Sequence, residues 1–437
     1  MKILTYSFLC LAFLLCYSCN KDDDKSQPDV LKITSIWPAY GTANTIVTIN
    51  GKEFSNVREN NKVSFNNIPA IVIEASETQL QVVSPEGGST GNVNIEVGGQ
   101  QFMGPVYSYT LPPEEYFVET YAGTGGTAGS VEGSLKAAKF RNPEGLSIDL
   151  LGNLYIADRG NNRIRKISGG MVSAYAGKDQ DGHVDGDVSI ALFDYPWKTA
   201  VDKSGNVYVA DRDNHSVRKI TPEGIVSTLA GSGSAGYADG NGTAAKFNQP
   251  LDVATDDAGN VYVADNLNHR IRKIDPAGNV TTLAGSGTAG YADGTGTAAS
   301  FKNPSGLCVD KDGNIFVADR LNHRVRKIGP GAEVTTVAGD GYAGFVDGLQ
   351  NNARFNGPYG IDVDANGALY IADLSNNKIR KIKDGSVSTI AGTSNGYLDG
   401  AGGGAQFSQP TDVCVDPGGN IFVADLGNHV IRKLYRK

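Results

Sequence analysis

Two hydrophobic patterns divide the chain. Over residues 31–111, short runs alternate apolar and polar positions, as in Ile46-Val47-Thr48-Ile49, Lys62-Val63-Ser64-Phe65 and Val93-Asn94-Ile95-Glu96-Val97. Turn pairs such as Asn50-Gly51 and Asn66-Asn67 separate them. Period-2 alternation at this spacing predicts half-buried antiparallel strands packed as a sandwich. Trp37 and Tyr40 are expected to pack in its core rather than form a surface patch. From residue 116 onwards the pattern repeats. An Ala-Asp-x-x-Asn-[His/Asn] block places its Asp at 158, 211, 265, 319, 373 and 425, steps of 53, 54, 54, 54 and 52 residues. A Phe-x-x-Pro block ends at Pro143, Pro196, Pro250, Pro304, Pro358 and Pro410. Each unit reads as four strands joined by tight turns, such as Lys311-Asp312-Gly313.

A lone four-stranded sheet cannot cover both its faces, but six stacked around an axis can. The fold class is therefore all-β: an N-terminal Ig-like β-sandwich followed by a six-bladed β-propeller. The last unit stops at Tyr435 without its fourth strand, and Tyr116-Phe117-Val118-Glu119-Thr120-Tyr121-Ala122-Gly123 carries the missing pattern. That N-terminal strand is expected to close the ring within blade six. Leu111-Pro112-Pro113 predicts a short, stiff joint between sandwich and propeller.

These patterns carry two resemblances. The Ile-x-Pro…Gly…Val-Thr-Ile-x-Gly-x-x-Phe text of residues 31–111 is similar to the IPT/TIG family, an immunoglobulin-like module usually serving as spacer or docking domain. The phrases Gly-Asn-x-Tyr-[Val/Ile]-Ala-Asp and Asn-His-Arg-Ile-Arg-Lys-Ile resemble the NHL repeat over residues 116–437. NHL propellers include ligand binders, protein-binding modules and a few lyases, so this resemblance implies a fold more than an activity.

The first residues read as an address. Met1-Lys2 precedes an apolar stretch over 3–17, too short for a membrane span of about 20 residues. It ends in Cys16-Tyr17-Ser18-Cys19, which resembles a bacterial lipobox, so residues 1–18 are expected to be a lipoprotein signal peptide and Cys19 the lipidation site. The tether, 19–30, carries Lys21-Asp22-Asp23-Asp24, similar to the surface-export signal of Bacteroidota lipoproteins. The expected location is the outer membrane, lipid-anchored and at the cell surface. Cys308 and Cys414 hold one repeat position and are expected to be buried and unpaired. Glycine, 56 of 437 residues, fits a chain of tight turns. A net charge of −8 gives no basic footprint for nucleic acid.

The loops joining one unit to the next run to about twenty residues, long for such connections, and mark one face as the place for a ligand. Within them an aromatic position holds Ser130, His183, Tyr237, Tyr291, Phe345 and Tyr397, followed two residues later by an acid. The regularity favours a role in loop architecture, although His183, Tyr237 and Tyr291 remain ligand candidates. Positions that break the repeat are more informative. Trp197, Tyr359, Lys198, Asp252 and Asp412 follow the Phe-x-x-Pro block, and Arg159, Arg212 and Arg320 follow the recurrent Asp. Aromatic platforms with arginine forks suit an acidic or hydroxyl-rich ligand such as a glycan. His215, His269, His323 and His429 occupy one repeat position, shared with Asn162 and Asn377, so a structural role outweighs zinc binding. No His-Glu-x-x-His or phosphate loop occurs. The reading is a non-catalytic glycan binder with no cofactor and no metal. Its alternatives are a docking scaffold for an outer-membrane protein partner and a metal-dependent lyase or hydrolase on the same face. The arrangement resembles accessory lipoproteins of Bacteroidota glycan-uptake systems.

Overall fold

The computed structural model describes residues 30–109 and 115–436, so the leader, Cys19, most of the tether and the proline joint lie outside the described residues. The chain divides into two compact units at Pro113 and Glu114.

The first unit is a two-sheet sandwich. One sheet is formed by Lys32–Trp37, Ile46–Lys52, Gln79–Val83 and Ile71–Ala75, the other chiefly by Asn61–Phe65, Gly91–Val97 and Gln100–Tyr109. The alternating residues Val47, Ile49, Phe65, Leu80, Val82, Val93 and Ile95 meet between the sheets and are buried. Trp37 and Tyr40 depart from the expected core packing, at 74% and 65% exposed. A bulge between Ile33 and Ser35 resets the alternation of the first strand. Ile33 and Ile36 therefore point inward, and Trp37, next to Ile36, points out.

The second unit is the six-bladed propeller. Its innermost strands are Pro143–Ile148, Pro196–Val201, Pro250–Thr255, Pro304–Val309, Pro358–Val363 and Pro410–Val415, defining blades 1 to 6. They neighbour one another in order, and blade 6 meets blade 1. The second strand of each blade, such as Leu154–Asp158 or Val261–Asp265, is buried at every residue but the half-buried Phe316 of blade 4, because neighbouring blades cover both faces. Outer strands return to alternation, as in Asn279–Ala284. In blade 6, Tyr116–Ala122 pairs with Val430–Arg436, which closes the ring with both ends of the propeller in one sheet. Cys308 and Cys414 are buried and free.

Each sheet has five strands, one more than the repeat pattern predicts. The extra strand is two residues long, as in Gly240–Asn241, and comes from the long connection between blades. It covers part of the outer edge, whose N–H and C=O groups would otherwise stay unpaired.

A buried polar network recurs in every blade. In blade 3, Arg272 is fully buried and its Nη1 meets Asp265 at 2.8 Å. Arg272 also donates to the carbonyls of Lys246 and Ala238 and to Asp239. Asp265 in turn accepts from the Asn248 N–H and the Asn268 amide. The same pairs are Asp158–Arg165, Asp211–Arg218, Asp319–Arg326, Asp373–Arg380 and Asp425–Arg432. Burial is the largest influence on these carboxyls and raises them, Asp158 and Asp211 to about 6, against the pull of their arginines and amide donors.

Neighbouring blades are joined by the recurrent His or Asn. His269 Nδ1 accepts the Asn303 N–H at 3.2 Å, and His429 of blade 6 does the same for Asn142 of blade 1. Asn162 and Asn377 use Oδ1 for the same bond. All six residues are left-handed, with φ between 48° and 58°, a conformation that Asn and His enter more readily than most side chains.

Two expectations follow for stability, measured by chemical denaturation. Arg272→Ala leaves Asp265 buried without its countercharge and should cost about 3–5 kcal/mol. His269→Asn preserves the inter-blade acceptor and should cost less than about 1 kcal/mol, whereas His269→Ala loses the acceptor and should cost about 1–3 kcal/mol.

Candidate functional site

Each innermost strand starts at the face that carries the inter-blade connections, and the short turn after the recurrent Asp opens on the same face. This topology brings eight of the predicted site residues to the axis: Trp197, Lys198, Tyr359, Arg159, Arg212, Arg320, Asp252 and Asp412. It keeps three others apart. Tyr237 and Tyr291 bond Thr282 and Thr336 on the outer strands of their own blades, and His183 meets Thr228 in the same way. Their rings serve the loops: Arg270 lies 3.8 Å from the Tyr237 ring centroid and Arg324 3.8 Å from that of Tyr291.

The axis is filled. Trp197 of blade 2 donates its Nε1–H to the Tyr359 hydroxyl of blade 5 at 2.9 Å, so this bond spans the ring. Tyr359 is only 6% exposed, and its ring is a plug rather than an open platform. The surrounding void is about 10 Å³, room for one water at most. Lys198 is buried too, with its ammonium 2.8 Å from Asp412 and 3.5 Å from Asp252. Burial opposes its charge, but the two carboxylates outweigh that effect and raise its pKa. The acids staple blades together: Asp412 accepts from Leu146 N–H, Asp252 from Leu307 N–H and Asp362 from Val415 N–H.

Three guanidiniums surround the mouth. Arg159 and Arg212 lie 4.8 and 4.6 Å from the ring centroid of the half-buried Trp197, and Arg320 lies 5.0 Å from that of Tyr359. These are cation–π distances. Arg159 pairs with the buried Glu144 at 3.0 Å. Burial pushes Glu144 up to about 7 even though Arg159 pulls it down. Tyr195, 43% exposed, lies beside Arg159 and adds an accessible ring.

Sequence reasoning missed three parts of this arrangement. Glu144 shares its repeat position with five neutral residues, and Tyr195 lies inside the Phe-x-x-Pro block, where the spacing hides it. The third part is the buried arginine of each third strand. Its signal was identity: Arg165, Arg218, Arg272, Arg326, Arg380 and Arg432 hold one position in all six units, whereas the residue two places before varies among Arg, Ser, Lys and Val. The recurrent histidines are spread around the ring, each committed to a backbone bond, as their structural reading requires. Among the described residues no group of three His, Cys, Asp or Glu is arranged to hold a metal ion.

Comparison with known proteins agrees with this architecture. Residues 31–111 match the IPT/TIG domain, and 140–167, 193–220, 247–274, 301–328 and 407–434 match the NHL repeat. NHL repeat-containing protein 2 of Bos taurus is 30% identical over 393 residues, covering 79% of this chain and 54% of that protein. The chain spans about half, or less, of the length of the curated relatives it matches. A solved structure of a protein of unknown function from Bacteroides thetaiotaomicron VPI-5482 aligns with a TM-score of 0.58 at 23% identity, covering 95% of this chain and 99% of that one. An auxiliary nutrient binding protein from Bacteroides ovatus ATCC 8483 aligns at 0.57 and 18% identity, covering 94% and 99%. At these identities the likeness shows a shared fold.

The raised Glu144 carboxyl has a measurable consequence. Between its ordinary value of 4.5 and about 7, the folded chain keeps a proton that the unfolded chain releases. The Glu144 contribution to stability therefore falls as pH rises through that window. Glu144→Gln keeps the neutral form, so its stability relative to the parent should improve from pH 5 to pH 8. Denaturation curves at the two pH values check this, and a difference independent of pH contradicts it.

Proposed function

We propose that this chain, an IPT/TIG domain followed by NHL repeats, is a non-catalytic protein that captures a polysaccharide or oligosaccharide at the mouth of its propeller. We take it to be held at the outer membrane, facing outward, by a lipid on Cys19. The observation that carries the reading is where the repeat is broken. Six buried networks and six inter-blade bonds are nearly identical, whereas the axial mouth collects residues that differ from blade to blade. There an accessible Tyr195 and a half-buried Trp197 stand among three guanidiniums. Aromatic faces pack against the C–H faces of sugars, and guanidinium N–H groups donate to hydroxyls and carboxylates.

The groups able to move protons are engaged elsewhere. Lys198, Asp252 and Asp412 hold one another in the filled axis, and Glu144 is buried against Arg159. This favours binding over turnover. The fold shared with an auxiliary nutrient binding protein is in keeping with a role in uptake. A second reading, docking to an outer-membrane protein, draws on the sandwich, where Trp37 and Tyr40 are mostly exposed.

The test is retardation of the purified protein in gels containing a panel of neutral and charged polysaccharides, followed by calorimetry. Binding without depolymerisation is expected. Tyr195→Asn should fold, since Asn142 and Asn303 hold the same left-handed place in other blades. It should weaken binding by about 1–3 kcal/mol. Full affinity in this variant would move the site away from the mouth. Silence across the panel, with capture of a membrane protein through Trp37 and Tyr40, would favour docking.

A further inference from the structure

At the mouth, the residue after the recurrent Asp meets the left-handed residue that precedes the innermost strand of the next blade. Arg159 lies 5.8 Å from the Tyr195 ring centroid, Arg212 donates to Gln249 at 3.1 Å, and Asn266 accepts from the Asn303 amide at 3.2 Å. Leu374 and Leu426 hold the place in blades 5 and 6 and need no polar partner. Arg320 is the exception, because its counterpart in the next blade is Gly357.

Neither backbone nor space demands that glycine. The five equivalent residues, Asn142, Tyr195, Gln249, Asn303 and Gln409, adopt φ between 50° and 53° with full side chains, and Gly357 has φ 64°. A Cβ on Gly357 would meet Ser375 Oγ at 3.5 Å and Arg320 Cγ at 3.9 Å, both ordinary contacts. The glycine therefore withholds the partner that the repeat would otherwise give Arg320.

Acidic partners are withheld as well. Arg159 has Glu144 at 3.0 Å and Arg212 has Asp213 at 3.0 Å. The equivalent positions around Arg320 are Ser305 and Leu321. Among the described residues Arg320 has no ion pair and no side-chain hydrogen bond; it faces the Tyr359 ring at 5.0 Å and acts on the buried Glu144 carboxyl only through space. A guanidinium oriented by an aromatic ring, with its donors unspent, suits a two-oxygen anion that it can grip as a fork. Arg320 thus adds an unpaired positive charge to the mouth of a chain whose net charge is −8.

We infer that Arg320 is an anion subsite, taking the carboxylate or the sulfate ester of an acidic saccharide. This rests on the saccharide reading above and narrows it to charged polymers. Arg320→Gln removes the fork. Gly357→Gln is the sharper variant: it installs the residue found at 249, gives Arg320 an internal partner, and leaves every charge in place.

The experiment measures binding of the full-length protein and both variants to polygalacturonate, its methyl ester, dextran sulfate and dextran. The parent should bind a charged polymer and lose it in its uncharged form, and each variant should weaken that binding about tenfold or more. Polygalacturonate alone identifies the carboxylate as the source, and dextran sulfate alone the sulfate. Equal affinity for charged and uncharged forms, or full affinity in both variants, overturns the anion subsite. If neutral polymers still bind and Tyr195→Asn weakens them, the saccharide reading stands without it. Binding to no saccharide of any kind removes both.

Discussion

The propeller depends on one interaction made six times: a carboxylate and a guanidinium sealed inside each blade. Taking both charges out of water is costly, and the raised pKa values of Asp158 and Asp211 register that cost. The site repays it through the two terminal guanidinium nitrogens, although Nε is buried without a partner in Arg165, Arg218, Arg272, Arg326 and Arg432. Arg326, for example, reaches Asp319, Asp293 and the carbonyls of Ser300 and Ala292, which ties the long inter-blade connection to the sheet. Asp319 ties down the N–H of Lys302 and the amide of Asn322. Both segments that shape the mouth are thus fixed from beneath. The variable side chains stand on a floor that does not vary.

A second set of bonds turns six blades into a ring. The left-handed His or Asn holds the start of the next innermost strand, and the axial acids hold backbone N–H groups of neighbouring blades. Lys198 then gathers Asp252 and Asp412, and the Trp197–Tyr359 bond crosses above the void. The two faces of the propeller are separated by this plug, which confines the candidate site to a shallow mouth rather than a channel.

Much of this was legible in the sequence. The spacing of Asp158, Asp211 and their equivalents counts the blades, and the missing last strand points to Tyr116–Ala122 as its replacement. Two-residue edge strands such as Gly240–Asn241 were not legible, since they carry no alternation. Trp37 was misjudged because a bulge, invisible in the pattern, decides which face it takes. Repeat position located Trp197 and Tyr359 on the axis, but not their burial. That depends on the summed volume of side chains from six strands, which no single unit contains.

The closing strand also makes the propeller's seam its mechanical entry point. The sandwich joins the propeller in the chain just before Tyr116, and Tyr116 is paired with Arg436 at the opposite end of the same unit. Tension transmitted along the chain from the sandwich therefore reaches the strand Tyr116–Ala122 before any other part of the ring. That strand is gripped on both sides, by Val430–Arg436 and by Gly400–Ala401, and Thr120 is pinned further by Asp399 and Tyr397. The joint in the circle is thus the first strand of the ring to meet that load.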